Sequence, residues 1–352
     1  MKMGKDDLSP SSFIGVQGEG IISFGSGQPD LPPPKEVFSC LSKYRHFQYG
    51  LIAGNENLRE ALAKKYNSTK DNFVITNGAS EAIDLTFRAV AKPKDKILLH
   101  TPYYYSYKPM VEFNHFEPLF VNTYEGKIDL KEFEEKVHEA KIVLINSPSN
   151  PTGSIQDIET LKKIEKITAD LGITLISDEV YKDLIYEGEH YPLSGDHVAT
   201  IDSFSKTFSM CGFRVGYLHS TNKEILDGVV GLKTHTSMNT NTLAQEMAFG
   251  ATQVSKEYVD GLKKIWIERR DFIYEGLSDL GLDVWKPEGA FYILPKIKNP
   301  RDFVWNMFKK HKIITYLGEW FGADDRVRFS YALEVEKIKE GLKRIKKYLD
   351  ES

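Results

Sequence analysis

Residues 198–217 read VATIDSFSKTFSMCGFRVGY. An apolar run containing Val198, Ala199 and Ile201 delivers Ser203, Lys206 and Arg214 into a turn-rich segment rather than a packed element. Lysine is usually a solvated surface residue. This one follows a strand-like run, is preceded by Ser203 and Ser205, and has Gly212 and Gly216 close by to let backbones approach. Such a setting suits a functional amine, the competing reading of Lys206 taken alone being a solvated side chain.

The spacing Ser-x-x-Lys, then seven residues, then Arg-x-Gly is met by Ser203, Lys206, Arg214 and Gly216. It resembles the lysine segment of pyridoxal-phosphate aminotransferases of fold type I. The resemblance implies that the Lys206 amine forms an internal aldimine with the cofactor aldehyde and that Ser203 and Arg214 hold its phosphate. The chemistry agrees with the residue types. Only an amine forms an imine, a partly desolvated lysine beside positive charge gives up its proton readily, and arginine offers a planar fork to a phosphate dianion. Ser203-Phe204-Ser205-Lys206 also satisfies the S-x-x-K pattern of penicillin-binding serine hydrolases, with Ser203 as nucleophile. The S-D-N and K-T-G partners of those enzymes are missing, the nearest strings being Ser177-Asp178-Glu179 and Lys206-Thr207-Phe208.

Composition narrows the field. A chain of 352 residues with 41% hydrophobic content can bury a sizeable core, and 46 basic against 50 acidic side chains leave a net charge of −4. Interspersed charges of that balance carry no nucleic-acid or membrane-surface footprint. Two cysteines, Cys40 and Cys211, cannot make a disulfide framework, and without C-x-x-C or H-E-x-x-H strings no metal dependence is expected. The N-terminus carries Lys2, Lys5, Asp6 and Asp7 and no apolar core, which argues against a secretory signal, and no apolar run is long enough to span a bilayer. A cytoplasmic protein acting on small polar substrates is the expectation.

Further motifs lie on both sides of the lysine segment. Residues 21–34, IISFGSGQPDLPPP, read as an N-terminal arm, their prolines barring helix before Lys35. Apolar spacing predicts helices from Val37 to Phe47 and from Glu56 to Tyr66, the second capped by Asn55, with a loop at residues 49–54. A strand over residues 73–76 runs through Asn77-Gly78-Ala79-Ser80 into an amphipathic helix ending at Val90. Strand, glycine and helix start make an anion site, because free N–H groups and the positive helix end point at the turn; a plain capped helix uses the same letters. A strand over residues 96–100 leads to Thr101-Pro102-Tyr103-Tyr104-Tyr105. Another over residues 141–146 leads to Ser147-Pro148-Ser149-Asn150-Pro151-Thr152-Gly153, and one over residues 173–177 to Asp178-Glu179-Val180-Tyr181. Beyond Gly216 the pattern reads as mainly helical over residues 223–232, 240–250 and 256–279. Strand-like alternation follows at 283–294 and 313–331, with helices from Asp302 and Val335.

By the same resemblance, Gly27 in G-Q-P-D lies over the substrate carboxylate, an ordinary turn glycine being the alternative. Tyr49 in Y-G-L-I-A-G-N-E-N-L-R-E-A-L reaches the cofactor phosphate of a neighbouring subunit, which implies a homodimer, unless it is simply a buried tyrosine. Gly78, Ala79 and Ser80 form the phosphate cup. Tyr104 stacks on the pyridine ring, leaving Tyr103 and Tyr105 to packing. Asn150 donates to the phenolic oxygen, as does Tyr181, while Asp178 meets the ring nitrogen and Glu179 is structural. In Arg326-Val327-Arg328-Phe329-Ser330-Tyr331-Ala332 the matching string assigns the bidentate carboxylate contact to Arg328 rather than Arg326, and residues 288–292 line the pocket.

These motifs span Gly27 to Arg328 and imply an α/β fold: a large, mostly parallel sheet domain over residues 45–255, sandwiched by helices. A smaller α+β domain would comprise residues 1–44 and 256–352. The implied activity moves an amino group from an L-amino acid to a 2-oxo acid, with Lys206, Asp178 and Tyr181 at the chemistry. A carbon–sulfur β-lyase or an amino-acid decarboxylase shares the same parts, whereas a cofactor-binding regulator would want a DNA-binding module. Some aspartate-using relatives place a lysine where Ser80 stands, and Glu319 falls in a segment near the pocket. The expectation is therefore a neutral or aromatic amino donor, with 2-oxoglutarate as acceptor.

Overall fold

The computed structural model describes residue 5, residues 7–16 and residues 18–351; Lys2 and Asp6 of the charged N-terminal stretch lie outside them. A seven-stranded sheet organises the molecule. Its order is Phe73–Thr76, Gly216–His219, Val198–Ser203, Thr174–Asp178, Ala140–Asn146, Lys96–His100 and Glu117–Val121. Every neighbouring pair is parallel except those made by Gly216–His219, which runs antiparallel to both of its neighbours. The inner strands are apolar on both faces, with Ile142, Val143, Leu144 and Ile145 all buried, as a parallel sheet covered on both sides requires.

Helices supply that cover. Ala79–Val90 turns Ala82, Ile83, Leu85 and Phe87 inward, and Ile158–Asp170 does the same with Leu161 and Ile164 on the other side. Burying each of these larger aliphatic or aromatic side chains contributes about 1.5–3 kcal/mol. Glu56–Lys65 begins where Asn55 Oδ1 accepts from the backbone N–H of Asn57 and Leu58, the predicted cap.

The two ends of the chain share a separate core. Leu8, Phe13, Ile22 and Phe24 pack with Trp266, Phe291, Phe303, Ile313, Phe329 and Ile338, and with Val180, Tyr181 and Leu184 from the segment that follows the central strand Thr174–Asp178. Ile22–Ser23 pairs in parallel with Ile313–Ile314, so the N-terminal arm is a strand partner of the C-terminal part. Lys256–Asp279 runs the 24 residues predicted for it and ends before Gly281, whose φ of +76° suits a glycine.

Two expectations are corrected, and one strand is added. No α-helix forms over Val37–Phe47: a short 3-10 turn at Lys35–Phe38 is followed by turns. Val37 alone of that stretch is buried, so no packed face rewards a run of weak helix formers such as Ser39, Cys40, Ser42, Tyr44 and His46. Gly216–His219 forms a further strand, in a stretch to which the sequence pattern assigns no element. Four residues are too few to show a period, and pairing on both sides decides the conformation. The alternation of 283–294 yields only the pair Tyr292–Ile293, and that of 313–331 breaks into Ile313–Ile314, Tyr316–Leu317 and Val327–Ser330 around a 3-10 turn.

Candidate active site

The carboxyl ends of the central strands open onto one cavity of about 510 Å³. Of the thirteen site residues expected from sequence, all but Gly78 and Tyr49 line it.

Ser203 closes its strand, and the chain then folds back: Phe204 N–H donates to Val215 O at 3.1 Å, and Ser205 N–H to Ser203 Oγ at 3.2 Å. Cys211 Sγ donates to Ser205 O at 3.0 Å, bracing the loop that carries Lys206. Lys206 is half-buried; its Nζ donates to the Gly27 carbonyl and lies 4.0 Å from Cys211 Sγ. The amine has no acidic partner within ion-pair distance among the described residues, which leaves it available for chemistry.

Arg214 sits at φ +57° and spends two donors on backbone, Nη1 on Cys211 O at 3.0 Å and Nη2 on Asn77 O at 3.2 Å. Gly78, at φ +81°, leaves room for it: a Cβ there would stand 2.5 Å from Arg214 Nη2. Gly78 therefore shapes the cup from behind. Ala79 and Ser80 open the helix beyond it, where unpaired N–H groups and the helix dipole favour an anion. Together with Ser203 and Arg214 this cradle fits a phosphate.

Asp178 ends its strand at the cavity floor. Its Oδ2 accepts from Tyr107 Oη at 2.5 Å and its Oδ1 from Val180 N–H at 3.2 Å. Burial pushes the carboxyl up to about 6; the two hydrogen bonds oppose that rise, while Asp202 and Glu179 add to it. No lysine, arginine or histidine pairs with it among the described residues, so the floor fits a cationic ring nitrogen. Asn146 Nδ2 donates to Asp178 O at 3.1 Å and Asn146 Oδ1 accepts from Asn150 N–H at 2.8 Å, tying the Asn150 turn to the aspartate. Tyr181 Oη is 2.8 Å from Tyr292 Oη, and burial drives its phenol well above the usual range.

Arg328 is 1% exposed, yet among the described residues its head meets only neutral groups. Nη1 donates to Asn150 Oδ1 at 3.0 Å and Nη2 to Gly25 O at 2.6 Å, Nε has no partner, and Tyr292, Tyr316 and Phe321 flank the guanidinium at 4.7, 4.7 and 4.8 Å. Tyr316 is its direct cross-strand partner. A buried cation without a counter-charge is costly, so the site is built for an anion to arrive. Arg326, by contrast, turns away to Leu294 O, Asp283 and the face of Trp285.

Other residues depart from the expected roles. Tyr103 stacks on Phe120 as packing, but Tyr105 lines the cavity. Glu319 does not line it and is paired with Arg301. Tyr49 lies outside it and is 82% exposed. Glu179 is buried and structural: it bonds Ser177 Oγ at 3.0 Å and pairs with Lys182 at 3.2 Å, and Lys182 also pairs with Asp202 at 2.8 Å. Of the string 288–292 expected to line the pocket, Tyr292 alone does so. Sequence reasoning missed Tyr107 and Asn146: Tyr107 carried a weak signal, three residues past Tyr104, whereas Asn146 reads as a strand end.

A mostly parallel sheet with an amine, an anion cup and an uncompensated carboxylate at its carboxyl edge defines a fold type I, pyridoxal-phosphate-dependent transaminase. Comparison with known proteins agrees. Residues 19–345 match the model of the family described as aminotransferase class I and II, and the chain belongs to that family. A probable aspartate/prephenate aminotransferase of Aquifex aeolicus is 35% identical over 96% of this chain and 93% of its own length. A probable aspartate aminotransferase of Methanocaldococcus jannaschii is 34% identical over 94% of this chain and 93% of its own. Among solved structures, an aromatic aminotransferase from Pyrococcus horikoshii superposes with a TM-score of 0.89 at 29% identity, over 97% of this chain and 99% of that one.

Proposed function

We propose that Lys206 is the catalytic amine of this transaminase, Asp178 and Tyr181 its electrostatic partners, and Arg328 the anchor for the α-carboxylate of an amino acid or 2-oxo acid. The carrying observation is that an amine, a buried carboxylate and a buried guanidinium, each lacking an opposite charge among the described residues, face one cavity. Bound there, pyridoxal phosphate supplies an aldehyde that takes up the amino group and a ring that accepts electrons from the substrate Cα. Ala79, Ser80, Ser203 and Arg214 hold its phosphate, with Gly78 leaving room for Arg214, and Tyr104 covers its ring. Asp178 keeps a proton on the ring nitrogen; Asn150 and Tyr181 orient the phenolic oxygen. Arg328 and the Gly27 backbone position the substrate so that Lys206 Nζ takes the Cα proton.

Mixing the holoenzyme separately with amino acids and with 2-oxo acids tests this. Spectral half-reactions with both are expected; ammonia or carbon dioxide in place of the second half-reaction would mean a lyase or a decarboxylase. Lys206→Ala should leave a folded protein whose cofactor borohydride no longer fixes covalently, and an unchanged adduct would move the amine role elsewhere.

A homodimer is part of the same reading. Phe47, Tyr49 and Leu51 are 79%, 82% and 56% exposed in succession, an apolar surface that a second copy would cover. Tyr49 would then reach the neighbouring phosphate. Two free cysteines suit a reducing compartment such as the cytoplasm, and no helix among the described residues is long and apolar enough to cross a membrane. We further read residues 45–255 as the cofactor domain and residues 1–44 with 256–352 as the smaller one, on the support of the core shared by the two chain ends.

A further inference from the structure

Resting on the transaminase reading, we infer that the amino donor carries an aromatic side chain, selected by a wall formed by Phe13, Tyr105 and Tyr316. All three line the cavity. Tyr316 lies against Arg328 at 4.7 Å, and its ring centroid is 6.2 Å from that of Phe13 and 6.4 Å from that of Tyr105. The wall thus begins beside the carboxylate anchor and lines the same cavity, within reach of the side chain of a substrate held by Arg328. Ile14 and Val16 line the same cavity. It is braced from behind: Trp320 meets Tyr316 at 5.3 Å, Phe308 meets Phe13 at 5.2 Å, and Tyr316 Oη donates to Pro10 O at 3.3 Å.

Charge makes the complementary case. Three cations line the cavity among the described residues, Lys206, Arg214 and Arg328, and the transaminase reading occupies all three with the amine chemistry, the phosphate and the α-carboxylate. A second carboxylate on the substrate would be desolvated against rings with no cation left to meet it, which is strongly unfavourable. Glu319 has no part in this selectivity, being engaged by Arg301 away from the cavity. Aspartate is therefore a poor donor, and flat apolar rings gain both burial and edge-to-face contact.

Two measurements on the holoenzyme test the wall. Steady-state kcat/KM with phenylalanine and tyrosine is expected to exceed that with aspartate by about 100-fold. By calorimetry the unreactive 3-phenylpropanoate should bind at least about tenfold more tightly than succinate. Phe13→Ala and Tyr105→Ala should each narrow that binding ratio and the phenylalanine-to-alanine kcat/KM ratio, with circular dichroism and cofactor content reporting the fold. Aspartate as the best donor, or succinate binding as tightly as 3-phenylpropanoate through a cation lent by a second copy, would overturn the inference while leaving transamination intact. Preferential binding of 3-phenylpropanoate in a protein that gives no half-reaction with any donor would support the wall and reject the transaminase reading.

Discussion

Replacing Asp178 by asparagine should give the cofactor-free protein a pH signature. The carboxyl is fully enclosed, and its burial moves it from an ordinary 3.8 to about 6. In the unfolded chain it returns to its ordinary value. The native state therefore binds this proton more tightly than the unfolded state does, and stability is lost as pH climbs through the interval between the two values. At about 1.36 kcal/mol per pH unit, a rise from 3.8 to about 6 corresponds to about 3 kcal/mol, an order-of-magnitude figure for a group with no solvent to screen it. Asparagine keeps an acceptor for Val180 N–H and a partner for Tyr107 Oη but never ionises. Urea unfolding of cofactor-free wild type and Asp178→Asn should give similar stabilities below about pH 4, then diverge, the variant becoming more stable by about 3 kcal/mol above about pH 6. The same variant should lose about 100-fold or more in kcat once loaded, because the group opposite the ring nitrogen no longer carries charge. Parallel stability curves across the whole range would refute the account of a burial-strained carboxylate.

Two further substitutions probe the charges around it. Arg328→Lys keeps the charge but gives up the fork that meets Asn150 Oδ1 and Gly25 O; kcat/KM should fall about 100-fold for every amino donor alike, with KM rising, and a loss confined to one donor would show that Arg328 reads side chains instead. Lys182→Met strands Asp202 and Glu179 as buried carboxylates, so chemical denaturation should report a loss of about 3–5 kcal/mol; an unchanged midpoint would mean that Tyr217 and Ser203 N–H for Asp202, and Ser177 and His190 for Glu179, suffice to satisfy them.

The sheet and the cup were legible because local signals and tertiary structure agree there. Phe73–Thr76, Lys96–His100 and Ala79–Val90 fall where apolar runs, Gly78 and the turn letters put them. The motif residues were legible because each chemical duty admits few residue types: an imine needs Lys206, and a planar carboxylate favours Arg328 over any lysine. What escaped depends on distance in sequence. Gly216–His219 is a strand only because Thr200 and Phe73 flank its far end from either side. Tyr105 reads as one of three adjacent tyrosines until the fold sets it beside Tyr316 and Phe321, some 210 positions on. Glu319 looked like pocket chemistry until Arg301, on the preceding helix, claimed it.

The pairing of Ile22–Ser23 with Ile313–Ile314, and of the Gly25 carbonyl with Arg328, has a consequence for biosynthesis. A ribosome adding about 5–20 residues per second needs roughly 15–60 s to travel from the first of these strands to the second. Throughout that interval Phe24, later fully enclosed, has no partner from the C-terminal part to cover it. The sheet can be assembled while the nascent chain is still growing, but the carboxylate anchor is created only once Arg328 has been added and has emerged, so a product truncated before it would take up cofactor and still have nothing with which to grip a substrate.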